Sequence, residues 1–184
     1  MSDKKRRCEE IWSGKAGIKK EYPEGKAEYD PRMGIYLVEF ARGDKCAGGD
    51  ICEVGCGSGR LAGYFSDREY TGVDINAEAI AKARKDNPGY TFYHVGYEEE
   101  WPEAECYLFH TVLLHIPDEY LDGMIQRCGG NRVVVAETMD PQFRDGQYTF
   151  HRSSAQYKEA FERNGYRLTE ERRMYIEGDR KSVV

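Results

Sequence analysis

Three glycines at alternate positions are the residues most capable of placing a ligand against the backbone. Gly55, Gly57 and Gly59 follow a short apolar run that begins at Ile51, and acidic Glu53 lies within that run. Glycine has no Cβ and tolerates a positive φ, so a glycine-rich loop lets the backbone approach a ligand closely. The pattern predicts a buried strand that ends in a ligand-binding loop.

A second acidic residue lies at the spacing typical of nucleoside binding. Asp74 ends the next apolar segment, 21 residues after Glu53, where an acidic side chain can accept hydrogen bonds from both ribose hydroxyls. The same kind of loop also seats a pyrophosphate at a helix N-terminus, so a dinucleotide is the competing ligand. The alternate spacing of the glycines, instead of G-x-G-x-x-G, favours a different nucleoside. A tight turn before a helix is the alternative that needs no ligand.

Polar side chains that could act on a second substrate follow the later strands. His110 lies where the fourth predicted strand emerges, and an imidazole with a near-neutral pKa suits a general base. Glu137 directly follows a β-branched run, and we expect it at the mouth of the pocket. His115 could contact a substrate or cap a helix. His151 and Arg152 lie in a loop, 138–152, from which they could reach over the substrate.

Strands and helices alternate from residue 50 onward. Strands are predicted at 51–54, 70–75, 91–95, 106–109, 132–136 and 166–175, and helices at 61–65, 77–86, 118–127 and 153–164. This alternation predicts an α/β fold with a doubly wound, mostly parallel sheet covered on both faces. The glycine loop then lies at the carboxyl end of the first strand, where such sheets bind ligands.

Residues 1–49 differ from the rest in being charged and rich in aromatic side chains, with a helix predicted over 31–42. The length of the chain supports one core, so we expect a single domain over 1–184, with 1–49 as an N-terminal lid or cap on a core of 50–184. Tyr22, Tyr29 and Tyr36 could wall a pocket, or they could pack the segment onto the sheet.

The composition limits the function classes. A net charge of −6 argues against a general nucleic-acid binder, because phosphate backbones are bound by clustered Lys and Arg. No apolar stretch approaches the roughly 18 residues of a membrane span, and no apolar leader follows Met1, so we expect a cytoplasmic protein. The six cysteines lack CxxC spacing and are expected to be buried, reduced thiols.

On these motifs the chain resembles the class I S-adenosylmethionine-dependent methyltransferases, and among them the small members without an inserted domain. The resemblance covers about residues 50–175. It rests on Glu53-Val-Gly-Cys-Gly-Ser-Gly59, Thr71-Gly-Val-Asp-Ile75, Leu113-Leu-His-Ile-Pro117 and Glu162-Arg-Asn-Gly-Tyr166. It implies a Rossmann-like methyltransferase fold with S-adenosyl-L-methionine as the cofactor.

The resemblance also implies which residues contact that cofactor. Asp74 would hold the ribose, Ile75 would pack on the adenine, and His110 would lie beside the cofactor as well as the acceptor. After the third strand the family often has an Asp, where this chain has Tyr97 followed by Glu98. Either Glu98 bonds the adenine amine or Tyr97 stacks on the ring. The methionine part would be cradled by Glu53, Gly55, Cys56, Gly57 and Gly59.

The activity implied is methyl transfer by in-line displacement to an oxygen or nitrogen atom of a small-molecule acceptor. His110, His115 and Glu137 are the catalytic candidates. A metal held by His110, Glu137 and Asp140 is conceivable, but the acidic arrangement of metal-dependent relatives is missing, so we predict none. An RNA or protein methyltransferase, a non-catalytic accessory subunit that binds the cofactor, and a nucleotide-dependent oxidoreductase are the alternatives. The sequence does not indicate the oligomeric state.

Overall fold

A five-stranded parallel sheet forms the centre of the molecule. The computed structural model describes residues 10, 12–14, 37, 39–41, 49–96, 98–137 and 149–172. The sheet order is β3-β2-β1-β4-β5, and every pair is parallel. These strands confirm the predicted doubly wound sheet, and their bounds are β1 (Ile51–Val54), β2 (Tyr70–Asp74), β3 (Thr91–His94), β4 (Cys106–His110) and β5 (Arg132–Ala136).

Three α-helices and two short 3₁₀ helices connect the strands. The α-helices are α1 (Ala77–Asp86), α2 (Asp118–Gln126) and α3 (Ser154–Arg163), and the 3₁₀ helices are Ala62–Phe65 and Leu113–His115. The helix predicted at 61–65 is therefore a single 3₁₀ turn. Gly165 follows α3 with a φ of 85°, as predicted for a helix terminator. The strand predicted over 166–175 is not formed in its described part, 166–172.

Each face of the sheet carries its own apolar core because side chains alternate along the strands. Ile51 packs on one face with the first 3₁₀ helix and α1, and Cys52 packs on the other face with α2 and α3. Leu37 and Ala41 are buried in the first of these cores. This part of the segment predicted as a lid therefore belongs to the core, whereas Tyr22, Tyr29 and Tyr36 lie outside the described residues.

The strand order places a topological switch point between β1 and β4. The chain moves outward from β1 to β3, then crosses back to β4 and continues outward to β5. Connections therefore leave the neighbouring carboxyl ends of β1 and β4 in opposite directions, which opens a crevice where sheets of this class bind ligands. The glycine loop and His110 border this crevice.

Four cysteines lie in the described part of the chain, and all four are free and buried, as predicted. Burial raises the pKa of the Cys52 and Cys128 thiols to about 12. Among the described residues, no helix combines the length and the apolar character that crossing a membrane requires.

Candidate active site

The three glycines of the loop have different neighbours. All have positive φ values, 73° at Gly55, 55° at Gly57 and 77° at Gly59. A methyl group on Gly55 would lie 2.4 Å from Cγ2 of Val112, and one on Gly59 would lie 2.8 Å from the Phe92 ring. A methyl group on Gly57 would meet no described atom within 4 Å. Gly57 therefore faces open space, whereas the other two glycines admit close packing by protein side chains.

The backbone of this loop is already largely hydrogen-bonded. The amides of Gly55 and Cys56 donate to the carbonyl of Val73 at 2.8 and 3.1 Å, and the Gly59 amide donates to the carbonyl of Cys56 at 3.0 Å. A pyrophosphate needs free amides and the dipole of a following α-helix. Since these amides are occupied and the next element is a 3₁₀ turn, the loop suits a ligand without phosphates.

Asp74 is fixed in place and keeps acceptor capacity. Its two carboxylate oxygens accept hydrogen bonds from the amides of Gly57 at 2.8 Å and Asn76 at 2.7 Å. A carboxylate oxygen can accept more than one hydrogen bond, so Asp74 can also accept hydrogen bonds from ligand hydroxyl groups. Burial raises the pKa of Asp74, and backbone hydrogen bonds from Asn76, Gly57 and Ile75 oppose that effect. The role of Asp74 as the ribose ligand stays a prediction.

Two residues predicted to cradle the cofactor lie beneath the loop. Glu53 is 3% exposed, and its carboxylate accepts a hydrogen bond from the Tyr70 hydroxyl. Desolvation raises the pKa of Glu53 to about 7. The Cys56 side chain is buried, and its sulfur approaches Gly72. Both side chains support the loop from the core side.

The predicted adenine side of the site is open. Ile75 is half-buried, and its carbonyl lies 3.0 Å from Nε2 of His94. Glu98 is exposed, and Tyr97 lies outside the described residues. The sequence interpretation missed His94, which holds the backbone of Ile75 and has no motif that marks it.

On the other side of the crevice, Glu137 occupies a position that differs from the predicted one. It is 0% exposed, and its Oε1 accepts hydrogen bonds from the amides of Val112 at 2.8 Å and Leu113 at 2.6 Å. Desolvation raises its pKa to about 8. The expectation that Glu137 stands at the pocket mouth is wrong, because the carboxyl group lies under the 3₁₀ turn that carries His115.

Arg152 is also buried, contrary to the expectation that it reaches over the substrate. It is 5% exposed and donates to the carbonyls of Leu113 at 2.8 Å and Ile116 at 2.6 Å. Its Nε also donates to Oδ1 of Asp118 at 2.8 Å. Glu137 and Arg152 together hold the amides and the carbonyls of one short segment. This brace, defined as Glu137, Arg152 and residues 112–116, fixes the backbone beside the crevice.

The backbone turns sharply where β4 ends. His110 is half-buried at the carboxyl end of the strand, and the next residue, Thr111, has a φ of 56°. A positive φ is unusual for a β-branched residue and costs about 1–3 kcal/mol. The Thr111 amide donates to the carbonyl of Ala136 at 2.8 Å, which helps to hold the turn. Nothing in the local sequence indicates this conformation.

His115 contacts an aromatic ring from the N-terminal segment. The ring centroids of His115 and Trp12 lie 4.0 Å apart at an angle of 45°. The N-cap position of α2 is Pro117, and no side chain caps that helix by a hydrogen bond. The capping role considered for His115 is therefore not observed, and its ring lies against Trp12.

The described residues contain no group of three or more His, Cys, Asp or Glu side chains that could hold a metal ion. Asp140, which was one of the conceivable ligands, lies outside the described residues.

Comparisons with known proteins agree with this arrangement. Residues 51–136 match the family described as "Methyltransferase domain". Magnesium protoporphyrin IX methyltransferase from Synechocystis PCC 6803 with bound SAM is 16% identical, with a TM-score of 0.74, over 100% of this chain and 96% of that chain. The 1,6-didemethyltoxoflavin-N1-methyltransferase of Burkholderia thailandensis is 12% identical, with a TM-score of 0.68, over 84% and 76%. A search of curated proteins gives no match. At these identities the structural likeness establishes the fold.

Proposed function

We propose that the chain is a class I S-adenosylmethionine-dependent methyltransferase that transfers a methyl group to an oxygen or nitrogen atom of a small-molecule acceptor. The observation that carries the proposal is the pair formed by Asp74 and Gly57. Asp74 is held by the amides of Gly57 and Asn76, its carboxylate oxygens can accept further hydrogen bonds, and Gly57 opens onto space beside it. The occupied amides elsewhere in the loop favour this cofactor over a dinucleotide.

The sheet gives the site its dimensions. Asp74 ends β2, and His110 ends β4, with β1 between them. Two strand spacings separate their backbones by about 10 Å, which is the scale of a nucleoside with its attached chain. The ribose would lie at Asp74, the methionine part over Gly57 and the acceptor beside His110. When bound, the cofactor supplies a methyl group on a cationic sulfur.

The residues beside His110 would align the acceptor for in-line displacement. Alignment and exclusion of water provide much of the rate in such a transfer, and a hydroxyl acceptor also needs a base. We assign the base to His110, because its imidazole is half-buried at the crevice. Glu137 takes a positioning role in this proposal, since it is fully buried beneath the turn that carries His115.

Two observations support a small-molecule acceptor. The two solved structures compared above are named for acceptors that are small molecules. The net charge of −6 is unfavourable for a polyanionic acceptor such as RNA.

Calorimetric titration with S-adenosylmethionine and S-adenosylhomocysteine tests whether the chain binds the proposed methyl donor. We expect wild-type binding, and Asp74→Ala should weaken it by about 1–3 kcal/mol, the cost of losing hydrogen bonds to a charged group. Asp86→Ala is the matched control, because Asp86 is an acid on the exposed side of α1 that pairs with Lys82. Absence of binding to the wild type, or preferential binding of NADH, would overturn the proposal.

A screen of metabolite extracts by mass spectrometry tests the acceptor half. The expected product is a metabolite that gains one methyl group only when the cofactor and the active chain are both present. His110→Ala should lower the turnover by about 10²-fold if the imidazole removes the proton. Cofactor binding without transfer to any extract component would favour the accessory-subunit alternative.

A further inference from the structure

Asn76 joins the donor side of the crevice to the N-terminal segment. The donor side is defined as the glycine loop, residues 55–59, together with Asp74. The side chain is 3% exposed, and its oxygen accepts a hydrogen bond from the Ala79 amide at 3.0 Å, which caps α1. Its Nδ2 donates to the carbonyls of Trp12 at 2.9 Å and Gly14 at 3.1 Å. An Asn amide has two donor hydrogens, so both are used to hold residues 12–14.

Trp12 also contacts the acceptor side of the crevice, defined as His110 together with residues 112–116. The Trp12 ring packs on His115, which follows β4, while the Trp12 carbonyl is bonded to Asn76, which follows β2. Since β1 lies between β2 and β4, residue 12 connects the two sides of the crevice across the carboxyl end of β1. The glycine loop leaves the sheet at that same end.

The residue that would bind the ribose is linked directly to this contact. The Asn76 amide donates to Asp74 at 2.7 Å, so the position of the Asp74 carboxylate and the anchor of residues 12–14 depend on one residue. A ligand held by Asp74 would therefore be sensitive to whether residues 12–14 are in place. The Trp12 ring lies on His115, across the crevice from Asp74.

We propose that Asn76 latches residues 12–14 across the crevice, so that Trp12 closes the cofactor site against His115 and slows the release of the cofactor and its product. The inference rests on the proposed function, since it assigns the crevice to S-adenosylmethionine. Asn76 is a positioning residue in this proposal, because it acts through Trp12. The latch is defined as Asn76 with residues 12–14.

The substitution Asn76→Ser separates the latch from the helix cap. Serine is as good an N-cap as asparagine, and its backbone amide can still donate to Asp74. It cannot reach the carbonyls of Trp12 and Gly14, so two hydrogen bonds are lost. We expect release of radiolabelled S-adenosylhomocysteine to become about tenfold faster, while the thermal unfolding midpoint stays close to that of the wild type.

Trp12→Leu tests the same latch from its other end and leaves the α1 cap untouched. It should also accelerate release by about tenfold. Because both substitutions act through one contact, the double variant should release the ligand little faster than either single variant. Additive effects of the two substitutions would contradict a shared latch. If Asn76→Ser fails to fold, Trp12→Leu alone decides, and an unchanged release rate would overturn the proposal.

The tryptophan content allows a direct spectroscopic readout. The chain has two tryptophans, and Trp101 packs in the core near Tyr107 and Phe109. In a Trp101→Phe background, Trp12 alone reports on closure, and ligand binding should change its emission in the presence of Asn76 but not in Asn76→Ser. Failure of the wild type to bind S-adenosylhomocysteine would instead remove the proposed function. Binding with release rates that are equal in wild type and Asn76→Ser would remove only the latch.

Discussion

The two sides of the crevice are built by different physical means. The donor side is a backbone structure, in which positive φ values at Gly55, Gly57 and Gly59 shape a loop tied to the neighbouring strand. The acceptor side is a side-chain structure, in which Glu137 and Arg152 hold a short turn from below. A backbone loop depends on local residue types, whereas the brace depends on residues distant in the chain. Substitutions in the brace can therefore alter the acceptor side while the donor side stays intact.

Each side nevertheless rests on one buried carboxyl group. Glu53 lies under the glycine loop and Glu137 lies under the turn beside His115, and desolvation raises the pKa values to about 7 and about 8. Glu53 accepts its hydrogen bond from a hydroxyl group, and Glu137 accepts from two amides. Buried acids of this kind make the stability of the two sides depend on pH in different ranges.

The largest effect we expect is a loss of stability as the pH rises. Between the ordinary carboxyl pKa and the raised values, the folded chain retains protons that the unfolded chain releases. The free energy of unfolding therefore falls from about pH 5 to about pH 8, by an amount of order 5 kcal/mol for the two groups together. Urea unfolding across this range measures it.

Two isosteric variants assign that pH dependence to the two sides. Glu53→Gln should flatten the profile between about pH 5 and 7, and Glu137→Gln should flatten it up to about pH 8. The two changes should be independent, since the groups belong to different sides of the crevice. A wild-type profile that stays flat over this range would show that both carboxyls keep ordinary pKa values in the folded chain.

The second effect distinguishes a brace from a catalytic acid or base. Glu137→Ala leaves the amides of Val112 and Leu113 without their acceptor and should cost about 3 kcal/mol of unfolding free energy at about pH 5. Glu137→Gln keeps an acceptor oxygen and cannot ionise, so at that pH it should stay near the wild type in stability, and it should retain turnover. A loss of about 10²-fold in turnover for the Gln variant, with stability unchanged, would instead make Glu137 a general base.

The contrast between the two sides explains what could be read from the sequence. The strands, the Asn76 cap and the positions of Gly57 and Asp74 follow from local residue types and spacing, and the structure agrees with them. The burial of Glu137 and Arg152 does not follow from local residue types, because a charged side chain after a strand or in a loop is ordinarily exposed. Their burial depends on backbone groups of residues 112–116 that only the folded chain presents to them.

The packing partners of the glycine loop are likewise not predicted by the sequence. The glycine spacing predicts close approach to the backbone, and the sequence analysis assigns that approach to a ligand. At Gly55 and Gly59 the approaching groups are the side chains of Val112 and Phe92. Such contacts join segments far apart in sequence, so spacing alone indicates that glycine is required but not what requires it.

The smallest effects that we expect come from substitutions within the glycine loop, whose glycines should respond differently. Gly57→Ala should cost only about 1–2 kcal/mol of stability, the strain of a left-handed conformation in open space, yet it should strongly weaken S-adenosylhomocysteine binding. Gly55→Ala should add a steric clash with Val112 to the same strain. Val112→Ala in the same chain should relieve that clash and leave the strain. If Gly57→Ala binds the ligand as tightly as the wild type, the open space at Gly57 does not receive the cofactor. The cofactor would then have to bind at another surface beside Asp74.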